Sequence, residues 1–400
     1  MTILSNSVNR IQPSQTIFIS NKASEMKAAG QDVISLGAGE PDFDTPENIK
    51  GAAIAAIHQG KTKYTAVDGI LELKEAIRAK FLRDNKLAYS SSQVTVASGG
   101  KQILYNALMS TVNPGDEIII PAPYWVSYPD MTRMAGGVPK IIATTQQTGF
   151  KLTPNQLDAA ITTKTKWVII NSPSNPTGTG YSREEIKALT DVLVHHQHVW
   201  IMTDDIYEHI TYDDFEFCTA AEVEPELYDR TLTCNGVSKS YSMTGWRIGF
   251  AAGPEILIKA MQKVQSQSTS NPCSVSQWAS LEALNGPQEF ITSNNLAFKR
   301  RRNLVLKNLN AINGMRCLVP DGAFYVFPSI FEFIGKKTPK GTSISDDLTF
   351  AAALLDEAEV AVVFGSAFGL SPYFRISYAC SDDILSEACA RLGEFCHNLR

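Results

Sequence analysis

The sequence predicts an α/β fold in which helices cover a mostly parallel sheet of seven strands. Three observations point to that class. Short apolar runs recur along residues 93–253, and several are nearly continuous, as strands are when both faces of a sheet are covered. Stretches of helical character lie between most of these runs, which is typical of parallel strands joined by crossovers. The chain has 400 residues, of which 44% are hydrophobic, so it can build a large packed core.

The predicted elements follow one another in a regular order. A break at 41–49 leads into a helix that starts after Thr45 and Pro46. A second helix, at 184–196, follows Ser182 and has acidic residues in its first turn, where the helix dipole favours them. The seven strand candidates are 93–98, 116–122, 139–144, 166–172, 199–204, 231–236 and 247–253.

The pattern changes near Asn285–Pro287. A long charged helix follows at 293–312, and beyond it come the short strand candidates GAFYVFP and YFRISYA and a closing helix. We interpret residues 48–290 as a large cofactor-binding domain. Residues 1–47 and 291–400 would then fold together as a smaller α/β domain.

Bulk composition excludes several functions. The formal net charge is −5 and the pI is near 5.8, whereas nucleic acid or an anionic membrane requires concentrated positive charge. No apolar run approaches the roughly 18 residues that cross a bilayer. The start has no apolar stretch of the length of a secretory signal and no basic helix-turn-helix pattern. The seven scattered cysteines lack C-x-x-C spacing and suit reduced thiols, so we expect a cytoplasmic protein.

One lysine stands in an unusual setting. Lys239 lies among small and polar residues in TCNGVSKSYSMTGWRIGF (233–250), directly after an apolar run. Burial or a neighbouring cation lowers the pKa of such an amine, which can then form and exchange Schiff bases. A loop lysine is ordinarily solvated surface. The hypothesis of a reactive Lys239 therefore depends on other parts of the chain.

The stretch TDDIYEHI follows the apolar run at 199–203. In an open parallel sheet, ligands lie beyond the carboxyl ends of the strands, and Asp204 and Tyr207 occupy that place. One interpretation of Asp204 is a helix cap. The other is a carboxylate bonded to the pyridinium nitrogen of pyridoxal phosphate, which keeps the ring protonated as an electron acceptor.

Two further loops come directly after strand candidates. NSPSNPTG (171–178) is explained as a turn, yet Asn175 would offer an amide at the same sheet edge. Gly99 and Gly100 precede a helix, so their N–H groups form either an anion site or a plain tight turn. Arg247 would add a bidentate guanidinium to a bound phosphate. The string is neither a Walker A loop nor G-x-G-x-x-G, so nucleotide binding is not supported.

These strings and their order resemble the fold-type I pyridoxal phosphate aminotransferases, the class that contains aspartate aminotransferase, and within it the bacterial type I-beta group. The resemblance implies a homodimer with shared active sites that transfers the amino group of aspartate to 2-oxoglutarate. It leaves open prephenate as an alternative or second substrate, and an eliminase or acyl-transferase as a different class. The strings that carry it are LGAGEPDFDTP, YTAVDGILELKEAI, SGGKQ, PAPYWVSYPDM, NSPSNPTG, DDIYE, SKSYSMTGWRIGF and FRISYA.

The resemblance also implies roles at the cofactor. Lys239 would hold pyridoxal phosphate covalently and move the proton between the substrate Cα and the cofactor, while Asp204 would pair with the pyridine nitrogen. Tyr207 and Asn175 would bond the phenolic oxygen. Trp125 would stack on the ring beside the substrate, although most tryptophans are ordinary core aromatics. The remaining cofactor contacts would come from Gly99, Gly100, Lys101, Ser238 and Arg247, and from Tyr64 of the second subunit.

Substrate contacts are implied in the same way. Arg375 would clamp the α-carboxylate, helped by Asn175 and the backbone at Gly39. An arginine inside a strand pattern is costly to bury unpaired, so a carboxylate partner is plausible for it without the resemblance. Lys101 equally fits a first-turn surface lysine. The set implied for the distal carboxylate of a dicarboxylic substrate is Lys101, Ser14 and Thr16.

Three features depart from this picture or remain outside it. Many aminotransferases of this class carry a serine where Gly236 stands, so one hydroxyl contact to phosphate is in doubt. HHQH (195–198) falls where a helix meets a strand, and transamination needs no metal, so we expect no metal site. KRRR (299–302) is expected on the solvated face of its helix.

Overall fold

The computed structural model describes residues 3–11 and 15–400, without the side chains of 15–18 and 20. Its α-helices are α1 (Asn6–Asn9), α2 (Gln15–Ala28), α3 (Glu47–His58), α4 (Leu71–Asn85), α5 (Gly100–Thr111), α6 (Ser127–Met134), α7 (Pro154–Ala160), α8 (Arg183–His195), α9 (Ala220–Val223), α10 (Glu255–Ser266), α11 (Ser274–Asn285), α12 (Glu289–Ala311), α13 (Asp347–Ala358) and α14 (Asp382–His397). Its strands are β1 (Ile34–Ser35), β2 (Val94–Ala97), β3 (Glu117–Ala122), β4 (Val138–Ala143), β5 (Thr165–Asn171), β6 (Trp200–Asp204), β7 (Thr231–Gly236), β8 (Gly249–Ala252), β9 (Tyr325–Val326), β10 (Val360–Ala361), β11 (Val363–Phe364) and β12 (Phe374–Ser377).

The largest sheet has seven strands in the order β2-β8-β7-β6-β5-β3-β4. The five strands from β7 to β4 are parallel, and β8 runs antiparallel to both β7 and β2. The prediction of a mostly parallel seven-stranded sheet is thus confirmed, and the predicted strand ends differ from the observed ones by two residues at most. The strands in the middle of this order are buried along most of their length, which explains their nearly continuous apolar runs.

Helices cover both faces of this sheet. A cluster of buried apolar side chains joins α5 and α10 to one face, and another joins α7 and α8 to the opposite face. Helix α8 starts where predicted, because the Ser182 hydroxyl accepts a hydrogen bond from the amide of Glu185 and the Glu185 carboxylate bonds back to the Ser182 amide. Helix α3 begins at Glu47, directly after Pro46, also as predicted.

The two smaller sheets belong to a hydrophobic cluster that is separate from those on the faces of the large sheet. The sheet β11-β12-β9 and the parallel pair β1-β10 contribute to a further hydrophobic cluster together with α12, α13 and α14. This cluster includes Val33 and Leu36 from the N-terminal part of the chain and side chains from 298 to 399, and Tyr207, Ile210 and Tyr212 pack on it from the 48–290 part. We propose on this basis the division into a large domain, 48–290, and a small one formed by 1–47 and 291–400.

The expectation that KRRR faces solvent is wrong for two of its members. Arg301 and Arg302 are only 6% and 3% exposed, and Arg302 donates to the carbonyl of Pro320 and pairs with Asp213. Arg300 alone of the three arginines is well exposed. Consecutive residues of an α-helix point about 100° apart, so a run of four must place some members on the packed side. None of the helices in the described ranges combines the length and apolar composition of a bilayer span.

Candidate active site

A cavity of about 550 Å³ opens at the carboxyl ends of β5, β6 and β7, facing the start of α5 and the strand β12. This is the edge at which ligands bind in open parallel sheets. Most of the residues singled out in the sequence meet there, although they are up to 336 positions apart (375 − 39) in the chain. The predicted residues that line the cavity are Gly39, Gly100, Lys101, Trp125, Asn175, Asp204, Tyr207, Ser238, Lys239, Arg247 and Arg375.

Four further predicted residues are not among those described as lining the cavity. Gly99 lies directly behind Arg247, next to the cavity and not on its wall. Tyr64 is 91% exposed and does not line the cavity. Ser14 lies outside the described residues. Thr16 belongs to the helix α2, but its side chain also lies outside the described part.

Lys239 lies in the loop that follows β7. Its Nζ donates a hydrogen bond of 2.5 Å to the carbonyl oxygen of Gly39. Burial of the amine, followed by the nearby charge of Arg375, lowers the pKa of Lys239 to about 8 from an ordinary 10.5. About a tenth of the amine is therefore neutral at pH 7, and a neutral amine is what nucleophilic attack on a carbonyl requires.

Asp204 is the last residue of β6, so the strand itself aims its carboxylate into the cavity. Oδ2 accepts a 2.6 Å hydrogen bond from the hydroxyl of Tyr128, and the Asn171 amide donates to the Asp204 carbonyl at 2.7 Å. Burial raises the pKa of Asp204, and the hydrogen bond from Tyr128 opposes that shift. Such a carboxylate is stabilised when a ligand brings a cationic N–H to it.

Arg375 is 2% exposed and points into the cavity from β12. Its two terminal nitrogens donate to Asn175 Oδ1 at 2.9 Å and to the Gly37 carbonyl at 2.6 Å, while its Nε has no hydrogen-bond partner. Its guanidinium stacks 4.6 Å from the ring centre of Tyr325. Within the described part of the chain, Arg375 pairs with no carboxylate, so a buried cation is left ready for an anionic ligand.

Tyr207 and Tyr325 share a hydrogen bond between their hydroxyl oxygens at 2.9 Å. Burial raises the pKa of both phenols, so both are neutral and able to donate at physiological pH. Because Tyr325 also stacks on Arg375, the two tyrosines connect the loop after β6 with β12, the strand that carries Arg375.

The start of α5 forms a close-packed corner with Arg247. Gly99 has a φ of +89°, and a side chain there would overlap the Arg247 guanidinium. Gly249 packs so closely against Gly99 and Gly100 that its own Cβ would overlap their backbone. The Arg247 guanidinium therefore lies next to the start of α5, and Ser238 lines the same cavity. This combination suits a phosphate.

Lys101 and Trp125 are neighbours at the cavity mouth. The Lys101 Nζ lies 4.9 Å from the centre of the Trp125 ring system. Partial loss of water and, second, the charge of Arg247 lower the pKa of Lys101. Trp125 itself meets Tyr128 edge-on at 5.4 Å, so it lines the cavity while it also packs on the hydrophobic cluster that joins α5 and α10 to the sheet.

The cavity is electropositive. Four basic side chains, those of Lys101, Lys239, Arg247 and Arg375, line it against the two carboxylates of Glu40 and Asp204. Anionic ligands are attracted by such an excess of positive charge. The arrangement can hold a phosphate at α5, a protonated ring nitrogen at Asp204, a carbonyl at Lys239 and a carboxylate at Arg375.

Gly236 has a structural reason to be glycine. It pairs with Gly249 between β7 and β8, and a Cβ at Gly236 would lie 3.0 Å from the Ile248 carbonyl oxygen. A serine at this position requires the neighbouring strand to give way, so the missing hydroxyl is a consequence of tight packing here.

The histidine cluster does not assemble a site. His196 bonds to Asp158 and His198 to the carbonyl of Thr162, both at 3.0 Å. In the described part of the chain, the group whose ligand atoms lie close together is Asp84, Glu208 and His209. In this group the ammonium of Lys80 is paired with Glu208, so the positive charge that a metal ion would bring is already supplied by Lys80.

Sequence reasoning missed several residues of this cavity. Tyr128 and Tyr325 contact predicted residues directly, and Glu40 and Thr244 line the cavity and are joined by a 2.9 Å hydrogen bond from the threonine hydroxyl. Tyr128 follows Trp125 by three positions, a spacing that places two residues of a helical turn on one side. No comparable signal marks Tyr325, whose contacts depend on how the small sheet packs.

Comparisons with known proteins agree with this geometry. The model of the family "Aminotransferase class I and II" matches residues 31–392. The aspartate/prephenate aminotransferase of Cereibacter sphaeroides (strain ATCC 17029 / ATH 2.4.9) is 64% identical over 399 residues, which cover 100% of both chains. The aspartate aminotransferase of Rhizobium meliloti (strain 1021) is 56% identical over 392 residues, which cover 98% of this chain and 96% of the relative.

Solved structures give the same result. The crystal structure of the aspartate aminotransferase from Rhizobium meliloti superposes with a TM-score of 0.98 at 55% identity, covering 100% of both chains. The aspartate aminotransferase of Thermus thermophilus with maleate has a TM-score of 0.92 at 43% identity, covering 99% of this chain and 100% of that one.

The fold and the site define an α/β enzyme that acts on small molecules. More narrowly, the chain belongs to the aminotransferase class I and II family and is an aminotransferase. The resemblance stated from the motifs is confirmed. This family uses pyridoxal phosphate.

Proposed function

We propose that this chain is a pyridoxal phosphate-dependent aspartate aminotransferase, which transfers the amino group of L-aspartate to 2-oxoglutarate reversibly in a ping-pong reaction. The observation that carries the proposal is the Lys239 amine, with its lowered pKa, in one cavity with the carboxylate of Asp204 and the guanidinium of Arg375. The names of the relatives support the choice of substrate.

The residues fit pyridoxal phosphate by the chemistry of their donors. The helix start at Gly99 and Gly100, together with Arg247, suits the phosphate, and the glycine at 99 leaves room for the guanidinium. Asp204, whose pKa is raised by burial, suits a protonated pyridine nitrogen. Lys239 suits the aldehyde. When bound, pyridoxal phosphate supplies an aldehyde that takes up amino groups and a protonated ring that accepts the electrons of the broken Cα–H bond.

Lys239 performs the proton transfer in this proposal. With pyridoxal phosphate bound, the Lys239 amine would hold the cofactor and, once free, would carry the proton between the substrate Cα and the cofactor. Asp204 holds the proton on the ring nitrogen, and the Tyr128 hydroxyl stabilises the ionised form of that carboxylate. Tyr207 donates from its hydroxyl to the phenolic oxygen and is held by Tyr325.

Arg375 binds the α-carboxylate, because its unpartnered Nε and its buried charge call for an anion. Asn175 orients that guanidinium and the Gly39 carbonyl orients Lys239. Lys101, beside Trp125, is proposed for the distal carboxylate together with Ser14 and Thr16, of which Ser14 and the side chain of Thr16 lie outside the described residues.

We further propose a cytoplasmic homodimer in which Tyr64 contacts the phosphate bound by the second subunit. The support is its exposure: a tyrosine ring that is 91% exposed makes few contacts within its own chain. All seven cysteines are unpaired, which suits a reducing compartment.

Trapping with borohydride followed by peptide mapping tests the cofactor attachment. We expect the label on Lys239 in the wild type and in Lys101→Gln, a variant that keeps the attachment but removes another lysine of the same cavity. The variant Lys239→Ala should carry no label and show no turnover. A label at any other lysine of the wild type would refute the proposal.

Prephenate is the second candidate substrate. A relative of 64% identity is named aspartate/prephenate aminotransferase, and prephenate is likewise a dicarboxylate. Steady-state kinetics with aspartate as donor and either 2-oxoglutarate or prephenate as acceptor separates the two. Phenylpyruvate and pyruvate serve as acceptors that lack a distal carboxylate.

An eliminase or acyl-transferase of the same fold would share Lys239 and Arg375, and fold alone does not separate reactions. Product analysis does. Oxaloacetate formed from aspartate in proportion to glutamate formed supports transamination, whereas release of pyruvate and ammonia from the amino acid would indicate elimination.

A further inference from the structure

The segment 37–43 is held at one end by a buried arginine. Both carboxylate oxygens of Asp42 accept hydrogen bonds from Arg301, at 2.7 and 2.8 Å. Such a two-pronged pair fixes orientation as well as distance. The Arg301 guanidinium carbon also lies 5.0 Å from the ring centre of Phe43 and 5.9 Å from that of Phe298, so aromatic side chains hold it in place.

The other end of the segment is fixed by the small sheets. Leu36 donates its amide to the Ala361 carbonyl at 2.8 Å and accepts from the Ser377 amide at 2.8 Å. Ser377 is the last residue of β12, the strand that carries Arg375. The residues from 37 to 40, which line the cavity, therefore lie between two anchors.

Between these anchors, the segment contacts both cations of the proposed chemistry. The Gly37 carbonyl accepts from Arg375 at 2.6 Å, and the Gly39 carbonyl accepts from Lys239 at 2.5 Å. Each carbonyl is a backbone acceptor, so its position follows the path that the anchors give to the segment. The two glycines offer no side chains of their own, and between the anchors the segment is also held by Glu40, whose carboxylate accepts a hydrogen bond from the Thr244 hydroxyl at 2.9 Å.

We propose that Arg301 is a positioning residue for substrate binding: by clamping Asp42, it keeps the Gly37 carbonyl where it orients Arg375. This inference rests on the proposed aminotransferase reaction at the same cavity. Arg301 and Asp42 do not line the cavity, so Arg301 acts through the segment. Loosening the clamp should weaken binding of the α-carboxylate more than it slows proton transfer.

Arg300 provides a matched control. It precedes Arg301 on α12 and forms two hydrogen bonds with one carboxylate, that of Asp382, at 2.6 and 3.2 Å. Its side chain is mostly exposed, and its side-chain hydrogen bonds and ion pair among the described residues go to Asp382 and not to the segment 37–43. Asp382 also lies 3.5 Å from the Arg301 Nε, so we leave it unchanged in the test.

The test uses the holoenzyme of four variants: Arg301→Gln, Asp42→Asn, the double variant and Arg300→Gln. We expect Arg301→Gln and Asp42→Asn each to raise the KM for aspartate and the Kd for succinate, an unreactive dicarboxylate, by about tenfold, with kcat changed by less than about threefold. The double variant should be no worse than either single variant, because both remove one interaction. Arg300→Gln should match the wild type, and the visible absorbance of the bound cofactor should be unchanged in all four.

Hydrogen exchange of the amides in 34–43 gives a second readout that does not depend on turnover. It should be faster in Arg301→Gln and Asp42→Asn than in Arg300→Gln. Asp42 is the more exposed partner, so Asp42→Asn carries the test if Arg301→Gln does not fold. Equal effects in Arg300→Gln, additive effects in the double variant, or a loss of kcat at constant KM would overturn the inference.

The two proposals fail in different ways. A wild type that does not transaminate, with exchange of 34–43 still controlled by Arg301, would end the proposed function but leave the clamp as a structural feature without the role inferred for it. A wild type that transaminates, with KM and succinate affinity indifferent to Arg301 and Asp42, would end the positioning role alone.

Discussion

The pKa of the Lys239 amine is set by the residues around it. Burial and the charge of Arg375 lower its pKa to about 8, although nothing covalent distinguishes it from the exposed lysines of the same chain. The lysine was recognisable in the sequence by its position after a strand. The size of the shift was not, because Arg375 lies 136 positions away (375 − 239) and its approach depends on the fold.

The first prediction concerns this amine in the cofactor-free protein. The neutral form of an amine predominates above its pKa, so modification of Lys239 by trinitrobenzenesulfonate should rise with pH and reach half its maximum near pH 8. Replacing Arg375 by Ala removes a cation that lowers the pKa, so the midpoint should move upward. A midpoint that stays at or above 10 in the wild type would contradict the lowered pKa.

The second prediction separates two adjacent carboxylates. Asp204→Asn should reduce kcat by about 10²–10³-fold, since the amide cannot hold a proton on the ring nitrogen, while cofactor retention changes much less. Asp205→Asn is the control. Asp205 faces the hydroxyls of Thr203 and Thr219 and does not line the cavity, so its change should affect the free energy of unfolding more than turnover.

If Asp204→Asn and Asp205→Asn lowered kcat equally, the prediction that Asp204 alone keeps the cofactor ring protonated would be wrong. Steady-state kinetics at saturating cofactor measures turnover, and gel filtration followed by absorbance measures retained cofactor.

At the scale of elements, the junction of β2 and α5 requires a glycine at position 99, and this requirement is visible only from the contacts in the structure. The string SGGK suggested either an anion site or a tight turn. The structure gives the two glycines different roles: Gly99 has a positive φ and packs against Arg247, whereas a side chain at Gly100 would meet no neighbouring atom.

The third prediction follows from that difference. In the cofactor-free protein, Gly99→Ala should lower the free energy of unfolding by about 1–3 kcal/mol, because it combines an unfavourable φ with overlap against the guanidinium. Gly100→Ala should leave it unchanged or raise it by up to about 1 kcal/mol, since alanine favours helix. Urea unfolding curves give both values, and a larger loss in Gly100→Ala would contradict this description of the corner.

Helix α12 shows where element-level reasoning stopped. Its existence and approximate ends were predictable from its length and charge pattern, but the side it presents to the core was not. Four consecutive basic residues suggested a solvated face, yet Asp42 and Asp213 come from other parts of the chain to meet Arg301 and Arg302. Such partners are set by tertiary packing, which local pattern does not encode.

For the whole molecule, sequence pattern predicted the sheet and the strand-end position of the site, because parallel strands necessarily bring their carboxyl ends together. It did not locate Tyr325, whose ring packs on Arg375 only once the small sheet has formed. Tyr64 lies outside the cavity of its own chain. Its proposed contact with the site of a second subunit therefore has to be tested on the dimer.

The fourth prediction addresses that assembly. The 43.8 kDa chain should sediment as a dimer of twice this mass. If Tyr64 serves the neighbouring site, Tyr64→Ala and Lys239→Ala subunits should complement one another, since a mixed dimer retains one site with both residues intact. Random mixing in equal amounts should restore about a quarter of the wild-type activity, because half of the dimers are mixed and each has one intact site.

Activity of the mixture equal to the mean of the two separate variants would contradict sharing. Mixing after brief unfolding together, with mass spectrometry to count mixed dimers, guards against subunits that do not exchange.

The bond between the Gly37 carbonyl and Arg375 closes a loop of 338 residues, whereas β5, β6 and β7 are successive in the chain. Long closures form late when a polypeptide acquires its structure, since the entropy of the intervening chain opposes them. A protein diluted from denaturant in the presence of the proposed pyridoxal phosphate should therefore recover the absorbance of the bound cofactor before it recovers affinity for dicarboxylates. Stopped-flow recordings of the two signals would show the interval between them.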